Sequence, residues 1–414
     1  MKDLRFRCSA SAIVVRLAAG LLLAVFAAAV APLAVPAAAA VSLEAGFDPC
    51  NVNGVERVVA VGDVHGAYDQ FVAILRAAEI IDADGHWAGG RTHFVQTGDV
   101  VDRGPDSRKA LDLLMRLEQE APKAGGRVYA LLGNHESAVM LGDVRYTSPA
   151  EYEAFRTPDS EAVRERYYER SLTDRQNEVK ASGQPFNEAA FRAEFLKKTP
   201  LGFVERQVAF GPTGEYGKWL RQHDAVVRIN QVVFVHGGIS PATAQLGCTA
   251  INEGVRAELT TGFETTLASP LSSLVAGPDG PLWYRGLAEL DENAFAPQID
   301  AVLAQFKARA MVGGHTVVAG GHVNVRFRGK VFQIDTGMLS SVYAGGRASA
   351  LEIKDDTFTA IYVDGRERLS VSGRRDTGSR LYRQTPPTTD SRFLRQPRSE
   401  SPQRFTPGSH AAAA

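Results

Sequence analysis

Five short motifs fall in order along the chain: Gly62-Asp63-Val64-His65-Gly66, Gly98-Asp99-Val100-Val101-Asp102-Arg103-Gly104, Gly133-Asn134-His135-Glu136, His236-Gly237-Gly238 and Gly313-Gly314-His315-Thr316. Each sets a histidine, aspartate or asparagine beside glycine. Asp63 and His65 stand two apart in a turn, so both can reach one ion. Asp99 has two carboxylate oxygens and can bridge two ions. Asn134 adds an amide oxygen, and His236 and His315 add ring nitrogens from later segments. Oxygen and nitrogen ligands without sulfur suit manganese first, with iron or zinc as alternatives, better than calcium or copper(I). No Cys-x-x-Cys pair exists, which excludes a thiolate zinc site. Of the other histidines, His86, His93, His223, His322 and His410 lack glycine-flanked positions after apolar runs. His322 is the nearest rival to His315, but it opens an expected strand instead of ending one.

Two adjacent divalent ions can hold a hydroxide at neutral pH and aim it at a phosphorus atom. Such a reaction also needs cations for the phosphoryl oxygens and an acid for the leaving group. Arg103, four residues after Asp99, and Arg285, in Leu282-Trp283-Tyr284-Arg285-Gly286, are the candidate phosphate clamps, since a guanidinium fork matches phosphate. The plainer readings are a salt bridge from Arg103 to Asp102 or Asp106, and a surface position for Arg285. His135 is placed to protonate a departing oxygen, with Asp102 orienting its ring.

These residues must be carried by ordered elements. Apolar, β-branched runs near 56–62, 92–97 and 127–132 predict strands, and helical spacing over 67–81, over 106–120 and from about His135 predicts helices between and after them. Alternation of this kind predicts parallel βαβ units with ligands at the strand carboxyl ends, where the motifs lie. After His236, strands expected near 310–314, 321–327, 330–335, 348–353 and 357–363 suggest antiparallel pairing that completes a mixed, layered α/β core. Residues 143–216 form a polar insert with expected helices over 160–180 and 187–198, either a cap over the site mouth or a peripheral decoration.

The 414 residues suffice for a large core, and 46 Lys+Arg against 47 Asp+Glu give a net charge of −1 that provides no basic field for nucleic acid. Lys2, Arg5, Arg7 and Arg16 precede the apolar run Leu17–Val30 and the Ala-rich stretch to Ala40. This pattern describes a secretory signal, residues 1–40, with a membrane anchor as the competing reading. Cleavage places the enzyme in the periplasm or outside the cell, without stable membrane association. It removes Cys8 and leaves Cys50 and Cys248, which either pair in an oxidising compartment or remain buried thiols. From Arg366 to Ala414 the sequence is rich in Arg, Ser, Thr and Pro and is expected to be a disordered tail. The catalytic domain is therefore expected over 41–365.

The five motifs, in this order, resemble those of the phosphoprotein phosphatases within the calcineurin-like metallophosphoesterases, over roughly residues 56–365. The resemblance implies a central β-sandwich flanked by helices with a dimetal site at the strand ends. It implies Asp63, His65 and Asp99 on one ion and Asp99, Asn134, His236 and His315 on the other, with His135 and Asp102 as the acid pair and Arg103 as clamp. The Trp283-Tyr284-Arg285-Gly286 stretch, the leader and the insert are most similar to the bacterial Shewanella-like protein phosphatases, a branch associated with phosphotyrosine preference. In that light Arg285 becomes the second clamp. Ile334-Asp335-Thr336-Gly337-Met338 stands where the eukaryotic serine/threonine branch carries a SAPNY-like segment. The expected activity is hydrolysis of phosphorylated proteins. A diadenosine-tetraphosphatase-like enzyme or general phosphomonoesterase is the alternative, and a non-catalytic binding module is the remote one.

Overall fold

The computed structural model describes residues 50–183, 185–261 and 271–370. The expected signal, residues 1–40, and the sequence from residue 371 onward lie outside the described residues.

Among the described residues, twelve strands form two six-stranded sheets. In chain order the first elements are β1 (Asn51–Val52), β2 (Arg57–Val61), α1 (Tyr68–Ala77), β3 (His93–Gln96), α2 (Ser107–Glu120), β4 (Arg127–Ala130) and α3 (Asn134–Met140). The insert supplies α4 (Pro149–Ala154), α5 (Ser160–Ser182), α6 (Glu188–Lys198), α7 (Phe203–Phe210) and α8 (Glu215–Leu220). Then come β5 (Val226–Ile229), β6 (Val232–Val235), α9 (Pro241–Ala244), α10 (Gly247–Thr261), α11 (Gly286–Glu289) and α12 (Glu292–Gln305). The chain closes with β7 (Ala310–Gly313), β8 (Asn324–Arg326), β9 (Val331–Gln333), β10 (Ser349–Lys354), β11 (Thr357–Tyr362) and β12 (Gly365–Arg368).

One sheet runs β12-β11-β10-β2-β3-β4, with β2, β3 and β4 parallel and the other pairs antiparallel. The second runs β1-β5-β6-β7-β9-β8, with β6, β7 and β9 parallel. The apolar runs are unbroken because these strands are buried on both faces, and the two-residue period divides each between two cores. In β2, Val58 and Ala60 enter the layer between the sheets, whereas Val59 and Val61 meet the helices. In β6, Val232 and Phe234 face the inter-sheet layer and Val233 and Val235 face the helices. Phe332 of β9 stacks on Phe358 of β11 with ring centroids 4.1 Å apart, joining the sheets.

Three expectations shift. The 321–327 strand contracts to β8, because Gly320 and Gly321 precede it with positive φ and Phe327, Arg328 and Gly329 turn left-handed after it. Helix α1 stops at Ala77, with Glu79 left-handed at φ 57°. The fold also crosses residue 366, where composition alone sets the tail: β12 pairs with β11, and Leu369 is buried beside it. Its exposed Arg366, Glu367 and Arg368 give no apolar signal, and they suit an edge strand that must resist pairing with other chains.

Cys50 and Cys248 form a disulfide with Cα atoms 6.1 Å apart, pinning the start of β1 to α10 across 198 residues of sequence. Constraining so long a loop in the unfolded chain is stabilising. Replacing both cysteines with alanine should therefore cost about 2–5 kcal/mol, read as a lower denaturation midpoint, with no change in bound metal per chain.

Candidate metal centre and acid pair

Six loops at the carboxyl ends of strands from both sheets deliver the site. Asp63 and His65 follow β2, Asp99 follows β3, Asn134 opens α3 after β4, His236 follows β6, His315 follows β7 and Asp335 follows β9. All seven are nine-tenths or more buried. Glycine permits the crowding. A Cβ on Gly314 would run into the Asp63 carboxylate, and one on Gly133 into that of Asp99. Backbone strain accompanies it: His65, Asp99, Asp102, Arg103 and His315 all adopt left-handed φ, between 48° and 68°. Non-glycine residues seldom do so, and such outliers concentrate at working sites.

The ligand atoms converge. His65 Nε2 lies 3.7 Å from Asp99 Oδ2 and 3.8 Å from Asp63 Oδ2. His236 Nε2 lies 3.3 Å from Asp99 Oδ1 and 3.0 Å from Asn134 Oδ1. The rings of His236 and His315 meet edge to face at 4.9 Å. Ligand atoms around one cation bound at about 2.1 Å stand about 3–4 Å from one another. Two overlapping groups, His65–Asp99–His135 and Asp99–His236–His315, bring their ligand atoms within 4.8 Å of one another and share Asp99.

Tautomers separate the ligands from the acid. His65 Nδ1 donates to the Val101 carbonyl at 3.0 Å, and His236 Nδ1 donates to the Thr97 carbonyl at 2.9 Å. A carbonyl only accepts, so each Nδ1 carries the proton and each Nε2 turns a lone pair into the cluster. His315 makes its backbone hydrogen bond to Trp283, and its Nε2 is buried with no partner among the described residues. A buried, unpaired acceptor aimed at carboxylates is what a ligand awaiting a cation presents, and the donor set fits divalent metal. His135 differs. Its Nδ1 donates to Asp102 Oδ2 at 2.9 Å, and Arg103 Nη2 donates to its Nε2 at 3.1 Å. Although His135 falls within the first group by distance, both its nitrogens are engaged by the acid-pair and clamp candidates, which argues for a proton-handling role.

With only the protein's own groups in play, burial pushes the Asp99 carboxyl up, but His236 and His135 outweigh it and hold it well below the usual carboxylate range. Burial works to lower His236, yet Asp99 and Asp63 raise it to about 9. Burial lowers His65 to about 3 and, with His236 and Arg285 adding to it, His315 to about 2, keeping both imidazoles neutral. For His135 burial is overcome by Asp99 and Asp102, so its pKa rises.

Sequence reasoning missed several supports. Glu136 is buried, and its carboxylate accepts from the backbone N–H groups of Asp99, Val100, Val101 and Gly133 at 2.7, 2.8, 3.3 and 2.9 Å. Asp335 lies beside Asp63, and burial raises its carboxyl to about 6. Tyr146 and Tyr343 flank the Arg103 guanidinium at 5.9 and 5.5 Å, where neither the salt bridge to Asp102 nor that to Asp106 forms. Arg285 Nη1 donates to Thr316 Oγ1 at 2.9 Å and to the His315 carbonyl at 3.3 Å, which places it at the cluster rather than on an unrelated surface. His322 is exposed, packed on Tyr362, and outside the site. The acid at the end of GNHE was the available signal for Glu136; Asp335 and the tyrosines carry none.

Two measurements follow. Glu136→Gln turns an amide N–H₂ toward N–H donors and should cost about 2–3 kcal/mol of stability, seen as a lowered melting temperature and weaker metal binding. His236 has a raised pKa, so its proton favours the metal-free fold below the ordinary imidazole range, and that contribution fades as pH rises through about 9. A metal must displace that proton. Manganese affinity should therefore rise from pH 6 to 8.5 by up to about tenfold per unit, with proton release in calorimetry, and a flat profile contradicts this.

Residues 56–319 match the family model for calcineurin-like phosphoesterases. An uncharacterized protein of Schizosaccharomyces pombe is 32% identical over 72% of this chain and 78% of its own. Shewanella-like protein phosphatase 2 of Arabidopsis thaliana is 31% identical over 73% of this chain and 76% of its own. The crystal structure of a cold-active protein-tyrosine phosphatase from a psychrophilic Shewanella species superposes with a TM-score of 0.58 at 30% identity, covering 78% of this chain and 82% of that one. With the motifs, the two-sheet fold and these likenesses together, the chain belongs to the calcineurin-like phosphoesterases, as an enzyme similar through most of its length to the Shewanella-like protein phosphatases.

Proposed function

We propose that this enzyme is a metal-dependent protein phosphatase with a preference for phosphotyrosine, working outside the cytoplasm. The observation that carries the reading is the convergence on Asp99 of three neutral or neutralisable imidazoles, beside a His135–Asp102 pair and the Arg103 guanidinium. Asp63, His65 and Asp99 would hold one ion, and Asp99, Asn134, His236 and His315 the other, with manganese the best match to the donor set. Bound cations would supply Lewis acidity and an activated water. Arg103 and Arg285 bind the phosphoryl oxygens. As Arg103 turns from His135 Nε2 to the substrate, that nitrogen is released to carry a proton to the leaving oxygen while Asp102 holds Nδ1–H in place. The water oxygen bonds to phosphorus as the P–O bond to the leaving group breaks, the proton shed by the water passes to solvent, and the proton from His135 lets the leaving group depart as a neutral hydroxyl compound.

The named activities of the Arabidopsis and Shewanella relatives support the protein-phosphatase reading, and the latter's supports phosphotyrosine. The Cys50–Cys248 disulfide supports the extracytoplasmic setting, since such bonds persist where conditions are oxidising. The leader expected over residues 1–40 from the sequence agrees with it.

One metal-quantified preparation should be compared on phosphotyrosine, phosphoserine and phosphothreonine peptides and on diadenosine tetraphosphate. Faster turnover of phosphotyrosine supports the reading; preference for the dinucleotide refutes it. Asp99→Asn should lose metal and activity together. His135→Asn should keep the metals and slow turnover about a hundredfold or more. Arg285→Ala should raise KM for every phosphoester tested.

A further inference from the structure

The acid pair is held from behind by a group the mechanism above does not use. Arg206, on α7 of the insert, has no solvent exposure at all, and its Nη2 donates to Asp102 Oδ1 at 3.0 Å. Thr147 Oγ1 donates to the same oxygen, also at 3.0 Å, and Ser107 Oγ accepts from the Asp102 backbone N–H at 3.1 Å. Asp102 Oδ2 is thereby left for His135 alone. Arg206 is fixed in turn by Glu151 of α4, with Nε and Nη2 both about one hydrogen bond away from Oε1, at 2.9 and 2.8 Å. The row His135–Asp102–Arg206–Glu151 is buried throughout.

Packing alone does not account for this row. Burying three charged side chains costs several kcal/mol per ion before their attraction is counted, and apolar residues of the same volume commonly serve stability as well or better. Arg206 Nη1 even lacks a partner among the described residues. What a fixed donor does at Asp102 Oδ1 is positional: it holds that carboxylate in one rotamer, so Oδ2 faces His135 Nδ1 and the imidazole is fixed in one orientation.

We infer that Arg206 is a positioning residue for leaving-group protonation, so that the insert contributes to catalysis through Asp102. The inference rests on the reading of His135 as the acid. A structural residue and a positioning residue part company on leaving-group dependence, because 4-nitrophenolate leaves without a proton whereas phenolate needs one.

The test compares kcat on phenyl phosphate and 4-nitrophenyl phosphate for the full, manganese-loaded chain. His135→Asn first calibrates the assay: it should lose about a hundredfold on phenyl phosphate and far less on 4-nitrophenyl phosphate. If it shows no such difference, the acid assignment itself fails. Given that difference, Arg206→Met should lose about tenfold or more on phenyl phosphate and less than about threefold on 4-nitrophenyl phosphate, with KM and metal content unchanged. Arg206→Lys should recover part of the loss. On an Asp102→Asn background Arg206→Met should have no further selective effect. Equal losses on both substrates, or none, overturn the inference. If Arg206→Met fails to fold, Arg206→Lys and Glu151→Gln carry the same comparison, and absence of selective loss in both overturns it equally.

Discussion

The carboxylate of Glu136 is the tie on which this site depends. Four backbone N–H groups from two loops end on its two oxygens, and those loops carry Asp99 and Asn134. Asp99 sits between three imidazoles, so a small displacement of its backbone would disturb ligands on both sides. Glu136 also occupies the first turn of α3, where a negative charge is favoured by the helix N-terminus. It never reaches the reacting centre. Its work is to make a left-handed, crowded loop the best available conformation.

The same loop shows how local strain is carried by global packing. Asp99, Asp102 and Arg103 lie within five residues and all hold positive φ, at a cost of about 1 kcal/mol or more each. The neighbouring strands compensate, being buried on both faces and fixed in register by parallel partners. A rigid double sheet with strained loops at one end is well suited to keeping like-charged ligands together before any cation arrives.

Much of this was legible in the sequence. Glycine beside histidine, asparagine or acid, after an apolar run, marked every loop of the cluster except that of Asp335, and the alternating strand and helix periods placed those loops at one end of parallel units. The helices of the insert, expected over 160–180 and 187–198, are found at 160–182 and 188–198. What remained hidden had physical reasons. Asp335 follows a short strand but has no histidine or asparagine companion, and β12 is an edge strand of exposed charges that reads as tail. Arg206 stands in a segment of mixed polarity, 104 residues from the aspartate it touches, so pattern could not distinguish it from a solvated arginine.

The order of the strands has a consequence for when the site comes into being. β2, which presents Asp63 and His65, lies between β3 and β10, and β10 begins only at Ser349. His315 and the strand beside it are likewise late in the chain. A partly synthesised chain therefore holds the early ligands without their framework, and scattered ligands on an unfolded segment bind divalent ions poorly. The complete ligand framework exists only once β7, β9 and β10 are in place. Because these donors accept several first-row metals, the metal pool of the compartment where folding finishes has as much say in the ion chosen as the ligands themselves.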